Sequence, residues 1–329
     1  MATLVELDKP NIPKTMRAAA LDKYGGPEAL TLHELPVPDV DANEVLISVH
    51  TAGVATWDAD IRGGWSPSGK RARFPLVLGT DGSGVVVARG SRVRRFEIGD
   101  HVYAFAWDST KGGFYADYTV ALAANTSHVP QPLTQTQAGA APASGLTALQ
   151  GIEALHLRKG ESVIIHGASG GLGTLAVQFA KLRGVRIFAT ASGSDGVALV
   201  RQLGADAAAD GHSDFTAAAR AFAPDGYDAV FALTGNALPE CLDVLKDDGR
   251  LVYPNGIAPA PRKRRGLKVE HYDGVPGIRE FEHLDRAIEM ARAQVPIAAE
   301  FPLAQAAEAH RRLAQGHVLG KIVLRCGGA

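Results

Sequence analysis

Glycines spaced by three mark the first place where this chain could do chemistry. The run Val163-Ile164-Ile165-His166-Gly167-Ala168-Ser169-Gly170-Gly171-Leu172-Gly173-Thr174 takes an apolar stretch into a glycine-rich turn and then into a helical pattern. A strand ending in such a turn leaves free N–H groups and the positive end of a helix facing outward, which is a receptacle for phosphate. Gly167 permits the tight reversal, Gly170 removes a Cβ that would block a pyrophosphate, and Gly173 lets the helix lie close to the strand. Ala168, Ser169, Gly171 and Leu172 complete the turn and are expected at the same ligand. The predicted chemistry is binding of a dinucleotide; a tight turn without a ligand is the alternative.

The end of the next strand decides which dinucleotide. An acid there binds the ribose 2′-hydroxyl and repels a 2′-phosphate. The run Ile187-Phe188-Ala189-Thr190-Ala191-Ser192-Gly193-Ser194 has no carboxylate before Asp195, and Ser192 and Ser194 offer small donors on either side of Gly193. This favours NADP. His212, in the loop after the third strand, stands at the same rim of the sheet and reads either as a phosphate contact or as a surface histidine.

These residues need elements to position them. After residue 134, short apolar strands at 163–166, 185–191, 207–209, 227–233, 250–253 and 267–272 alternate with helical runs at 174–182, 196–203, 214–222 and 238–245. Such alternation implies a parallel sheet with helices on both faces. Leu175, Phe179 and Leu182 are expected on one face of the first helix. Before residue 129 the signals are β-like, with runs at 45–49, 84–88 and 101–105 punctuated by Gly and Pro. The tail holds helices at 279–293 and 304–314 and a last strand at 321–325, which needs a sheet to join. The fold class expected is therefore α/β. Residues 1–129 and 275–329 would form a discontinuous β-barrel-like domain, and residues 130–274 a doubly wound one.

Composition narrows the partners. Among 329 residues, 34 Lys plus Arg stand against 35 Asp plus Glu, so there is no electrostatic reason to coat nucleic acid or an acidic membrane. The run Arg262-Lys263-Arg264-Arg265 reads as a solvated connection rather than a nucleic-acid site. Cys241 and Cys326 are too few for a disulfide framework and form no Cys-x-x-Cys pair. The polar start lacks the apolar core of a signal peptide, so a reducing cytoplasm is expected. The window 162–180 lacks Asp, Glu, Lys and Arg, but its four glycines and one histidine read as strand, turn and helix rather than a membrane span.

Motifs along nearly the whole chain resemble the medium-chain dehydrogenase/reductase superfamily. They include Gly25-Gly26-Pro27-Glu28, Gly79-Thr80-Asp81-Gly82-Ser83-Gly84-Val85-Val86, Phe96-Glu97-Ile98-Gly99-Asp100-His101-Val102-Tyr103, Ser144-Gly145-Leu146-Thr147-Ala148, the glycine turn, and Gly316-His317-Val318-Leu319-Gly320-Lys321. Within it the chain is most similar to the zinc-independent quinone oxidoreductase branch. The resemblance implies a GroES-like β-domain packed on a Rossmann domain, an active site in the cleft between them, NADPH, and direct hydride transfer. It places Thr147 at the nicotinamide end and Asn255 and Gly256 along the carboxamide. Thr234 and Gly235 fall near the adenosine ribose, and Lys321 at the domain junction near the cofactor. Zinc-dependent relatives place cysteine where this chain has Ala55 and His-Glu where it has Thr80-Asp81, so no metal site is expected. Quinone reductase relatives often hold the 2′-phosphate with a lysine where Gly196 stands and a tyrosine where Gly211 stands.

Without zinc, hydrogen bonds must stabilise a developing oxyanion. Trp57 and Asp58 follow the Ala55 position. Trp57 offers an apolar wall and one N–H, with core packing as its other reading. Asp58 could relay a proton if burial raised its pKa, or be a solvated turn residue. Tyr115 is a phenol donor or a packing residue. The activity expected is NADPH-dependent reduction of quinones or α,β-unsaturated carbonyls, on a small-molecule substrate. A non-catalytic NADPH-binding sensor or structural protein and an alcohol dehydrogenase-like enzyme are the alternatives. A homodimer is expected through the strand at 267–272.

Overall fold

The computed structural model describes residues 12–66, 69, 72–106, 109–259, 261 and 266–327. The basic run Arg262 to Arg265 lies outside the described residues. The strands β1 (Ser162–His166), β2 (Arg186–Ala191), β3 (Ala207–Asp210), β4 (Tyr227–Ala232), β5 (Leu245–Pro254) and β6 (Lys268–Tyr272) form one parallel sheet in the order β3-β2-β1-β4-β5-β6. The order reverses between β1 and β4, the switch point at which doubly wound sheets place their ligand. β1 is buried along its whole length, as a central parallel strand covered on both faces must be. β5 is longer than its apolar run, because it pairs β4 at Leu245 and, across an irregularity, again from Arg250.

The helix Gly171–Leu182 follows the glycine turn. Leu175 and Phe179 are buried as expected, but Leu182 is 40% exposed. Residues 173–180 are all buried, since the helices Pro142–Ala154 and Ile278–Ala291 cover it from other sides. The helix thus has no single apolar face, and its covered length stops at Ala180, two residues short of Leu182. Pro142–Ala154 was not foreseen as a helix. Its Ala, Ser and Gly residues are buried nearly all round and leave no periodic trace in the sequence.

In the second sheet the long strand Glu44–Val54 pairs antiparallel with Asp81–Arg89, with Tyr118–Leu122 and with the last strand, Lys321–Arg325. Leu324 stands opposite Ala52, so the chain returns to the N-terminal sheet after passing through the nucleotide-binding one. Ile297–Pro302, an unforeseen strand, adds parallel to Lys321–Arg325. The helix Ile278–Ala291 ties the layers together. Its Asp285 accepts hydrogen bonds from Tyr103 (2.5 Å) and Ser127 (2.7 Å), and Phe281 meets the Tyr103 ring edge-on at 5.2 Å. One apolar cluster therefore runs from Tyr103 and Phe105 through Leu146 and Ile152 to Val163 and Ile165.

Among the described residues no helix is long and apolar enough to cross a membrane. Cys241 and Cys326 are buried free thiols. Burial pushes both pKa values up, that of Cys326 to about 12.

Candidate functional site

The glycine turn is held from three sides. His166, at the end of β1, is buried; its Nδ1 lies 2.7 Å from Thr190 Oγ1 on β2, and its Nε2 meets the Asn236 carbonyl beyond β4. Burial lowers its pKa, so it acts as a neutral strut. Thr190 Oγ1 also accepts the Gly167 N–H (3.0 Å), and Gly167 adopts φ +83°. A Cβ on Gly173 would lie 2.5 Å from Ala168 Cα, so only glycine allows this helix-to-strand approach. A Cβ on Gly170 would meet nothing within 4 Å. That open space sits before the first turn of the helix, where N–H groups lack intrahelical acceptors. Ser169, behind the turn, accepts the Ser192 N–H at 3.0 Å. An extended cradle that offers N–H groups and has room for phosphate fits a dinucleotide.

A strap from the other sheet closes the turn. Gly320 N–H donates to the Ser169 carbonyl (2.8 Å), and Gly170 and Gly320 form a parallel bridge. The next residue, Lys321, is 5% exposed, and its stem lies where a side chain on Gly171 would be. Leu172, half-buried, opens the helix beside it. At the end of β2, Ser192, Gly193, His212 and His317 come together, while Ser194 is exposed beside them. Thr234 is next to the turn, with its Cγ2 3.1 Å from where a Gly167 Cβ would be. Gly235 makes room for the Ala258 carbonyl. Asn255 bonds to Asp273 and His271 (both 2.9 Å), with Gly256 beyond it at φ +92°.

At the opposite end, Thr147 is half-buried on the helix Pro142–Ala154, its carbonyl accepting the Tyr272 hydroxyl. Gly274 lets the following segment pass close over the Thr147 hydroxyl. The short helix Thr56–Arg62 separates the two neighbours Trp57 and Asp58, since successive helical residues diverge by about 100°. Trp57 packs on the core shared with the nucleotide-binding sheet and donates its indole N–H to Thr80 Oγ1 at 2.7 Å. Asp58 turns into the β-domain. It is fully buried and accepts the Ala55 N–H (2.9 Å) and the Tyr115 hydroxyl (3.4 Å). Burial, and then the neighbouring Asp81, push its pKa up to about 7. Tyr115 is also fully buried, 3.1 Å from His310 Nε2, and Arg62 donates to His310 Nδ1 at 2.7 Å. The structure thus puts Trp57 with Thr80, and Asp58 with Tyr115 inside the core.

The residues at the zinc positions do not fit a metal. Ala55 has no donor, Thr80 accepts from Trp57, and Asp81 accepts the Ala143 N–H at 3.2 Å deep in the protein. Among the described residues no three His, Cys, Asp or Glu form a metal-holding group. Sequence reasoning did not single out His317, Thr80 or His310 as site residues. The signal for His317 lay within the quoted Gly316 to Lys321 motif, but its role depends on which loop the strap crosses.

Residues 41–131 match the alcohol dehydrogenase GroES-like domain, and residues 203–324 match a zinc-binding dehydrogenase family. A quinone oxidoreductase of Rattus norvegicus is 30% identical over 94% of this chain and 98% of its own. The structure of the quinone oxidoreductase from Coxiella burnetii superposes with a TM-score of 0.85 at 32% identity, covering 95% of this chain and 99% of that one. A mycobacterial protein solved in complex with NADPH superposes with a TM-score of 0.80 at 27% identity, over 94% and 99% of the two chains. With the cradle, the strap and the reversed strand order, these likenesses make the chain an oxidoreductase that belongs to the medium-chain dehydrogenase/reductase superfamily, quinone oxidoreductase-like within it.

Proposed function

We propose that the protein is a zinc-independent, NADPH-dependent reductase of quinones or α,β-unsaturated carbonyls. The observation that carries this reading is what stands where zinc-dependent relatives place their ligands: a methyl at Ala55, a hydroxyl at Thr80 held by Trp57, and a carboxylate at Asp81 turned onto a backbone amide, all three buried. An alcohol dehydrogenase that relies on zinc needs three ligands there. A conjugated acceptor needs less, because its negative charge is delocalised as it forms and can be met by one or two hydrogen bonds.

The cradle from Gly167 to Gly173 would hold the pyrophosphate. Lys321 would neutralise charge beside it, and Thr147 and the Asn255-Gly256 segment would orient the nicotinamide end. The bound dinucleotide supplies a hydride. Thr80 accepts the Trp57 N–H, so its own hydroxyl hydrogen remains to be donated to an oxyanion in the cleft. Trp57 fixes that hydroxyl and forms an apolar wall that excludes water. The final proton comes from solvent, since Asp58 and Tyr115 are enclosed in the β-domain.

The test is oxidation of NADPH in the presence of a panel of quinones and enones. Steady turnover with at least one acceptor, undiminished by chelators, is expected. NADPH that binds without turnover across the panel would leave the reading of a non-catalytic NADPH protein in its place.

A further inference from the structure

The quinone reductase branch often holds the 2′-phosphate with a lysine and a tyrosine, and this chain has Gly196 and Gly211 at those positions. The structure gives a physical reason for the first of these. A Cβ on Gly196 would lie 3.3 Å from Leu319 Cδ2 and 3.2 Å from Ser169 Cβ, so the strap occupies the space that a side chain would enter. The same strap brings a histidine. At Gly193, with φ +70°, a Cβ would lie 3.2 Å from His317 Cε1. Glycines at 193 and 196 therefore admit a cation-forming residue from the other domain where the relatives carry one of their own.

We propose that His317 and His212 form the subsite for the 2′-phosphate of NADPH, a refinement that rests on the NADPH reading above. Both imidazoles converge on one hydroxyl at the end of β2: Ser192 Oγ lies 2.8 Å from His317 Nδ1 and 3.1 Å from His212 Nε2. The end of the second strand is where the ribose 2′ substituent lies in this fold. His317 Nε2 is 2.9 Å from Asp195 Oδ2. The carboxylate only accepts, so Nε2 carries the hydrogen and neutral His317 takes the Ser192 proton on Nδ1. Ser192 can then accept from His212 Nε2–H.

A phosphate arriving beside Ser192 would find one N–H already aimed at it. His317, on the same hydroxyl and backed by Asp195, stands beside it as the second imidazole. Arg312 fixes the loop, donating to the carbonyls of Gly316 (2.9 Å) and His317 (3.1 Å), and is a positioning residue.

Two carboxylates face this place, and each is engaged by hydrogen bonds of the histidines or of the adjoining backbone. Asp195 Oδ1 accepts the Gly196 N–H (2.9 Å) while Oδ2 holds His317. Asp210 Oδ1 accepts the N–H groups of Gly193 (3.2 Å) and His212 (3.0 Å). Their hydrogen bonds with His317 and with the backbone of His212 lower both carboxyl pKa values, so both stay ionised and balance the imidazoles rather than the ligand.

Calorimetric titration with 2′,5′-ADP and with 5′-AMP isolates the extra phosphate without turnover. Wild type is expected to prefer 2′,5′-ADP. His317→Ala should lose about tenfold or more in 2′,5′-ADP affinity, the scale of a charge-assisted hydrogen bond, and less than about twofold for 5′-AMP. His212→Ala should show a smaller loss with the same selectivity. Equal losses for both probes would make the histidines structural and overturn the proposal, as would a preference that survives both substitutions. A wild type that binds the two probes equally would instead sink the NADPH reading itself.

Discussion

Tyr115 and Asp58 have the residue types of a proton relay, and their surroundings make them a core network instead. Arg62 can only donate, so His310 Nδ1 accepts; burial and then the Arg62 charge lower its pKa to about 3, so neutral His310 carries its hydrogen on Nε2. That hydrogen goes to Tyr115, whose own hydroxyl goes to Asp58, and all the donors point inward. Asp58 has a folded pKa near 7 against an unfolded value near 4, so between those pH values the native state holds a proton that the unfolded chain lacks. Stability is therefore highest below about pH 4 as far as this group goes, and falls as pH rises to about 7. Asp58→Asn keeps an acceptor for Ala55 but cannot ionise. Its melting temperature relative to wild type should rise between pH 5 and pH 8, and a flat difference would contradict the burial argument. Tyr115→Phe should cost about 1–3 kcal/mol of stability, because it leaves the buried His310 Nε2–H without its acceptor. Thr80→Val should instead lower kcat about a hundredfold or more, the loss typical of an oxyanion donor, alongside only a modest fall in melting temperature from removing the acceptor of the Trp57 N–H. The types of these residues were legible in the sequence. What was not legible is how neighbours part, since Trp57 and Asp58 are adjacent in sequence and only the side of the helix Thr56–Arg62 that each occupies sends one to Thr80 and the other to Tyr115.

The glycine turn shows how far local pattern specifies an element. Strand, turn and helix stand where the apolar run and the three glycines put them, and the whole parallel sheet follows from strands alternating with helices. What escaped had no pattern to read. Pro142–Ala154 is covered nearly all round, so small residues replace an amphipathic face. Ile297–Pro302 is short, and only its parallel pairing with the last strand makes it a strand. The strap over Gly170 joins segments about 150 residues apart, and no local signal carries such a distance. Within the turn, two substitutions should behave oppositely. Gly173→Ala places a methyl 2.5 Å from Ala168 Cα; overpacking of this kind costs about 1–3 kcal/mol, read as a lower denaturant midpoint. Gly170 has ordinary extended φ and ψ (−79°, 176°) and faces open space, so Gly170→Ala should leave the midpoint unchanged. Its methyl would enter the phosphate space and weaken NADPH binding. Unchanged NADPH affinity would show that the cradle does not hold the pyrophosphate.

On the scale of the whole molecule, the nucleotide-binding sheet ends at β6, which pairs only with β5 among the described residues. Lys268, Val269, Glu270 and His271 are all exposed, so this edge is open on both faces as well as along its hydrogen-bonding side. An open edge of this length is a template for another strand. We propose that it pairs antiparallel with its own copy across a two-fold axis, which closes the assembly as a dimer. With the axis beside Val269, Lys268 of each chain lies opposite Glu270 of the other, and opposite charges on facing positions favour that register. Sedimentation equilibrium should then give about twice the 34.5 kDa chain mass. Glu270→Lys would set lysine against lysine at both positions and should dissociate the dimer. Adding Lys268→Glu restores the complementary pattern with the signs exchanged and should bring the dimer back. Val269→Pro, which removes a backbone donor at the axis, should give monomer. A wild-type mass near that of one chain would exclude the assembly, and a dimer indifferent to both charge variants would place its interface away from β6.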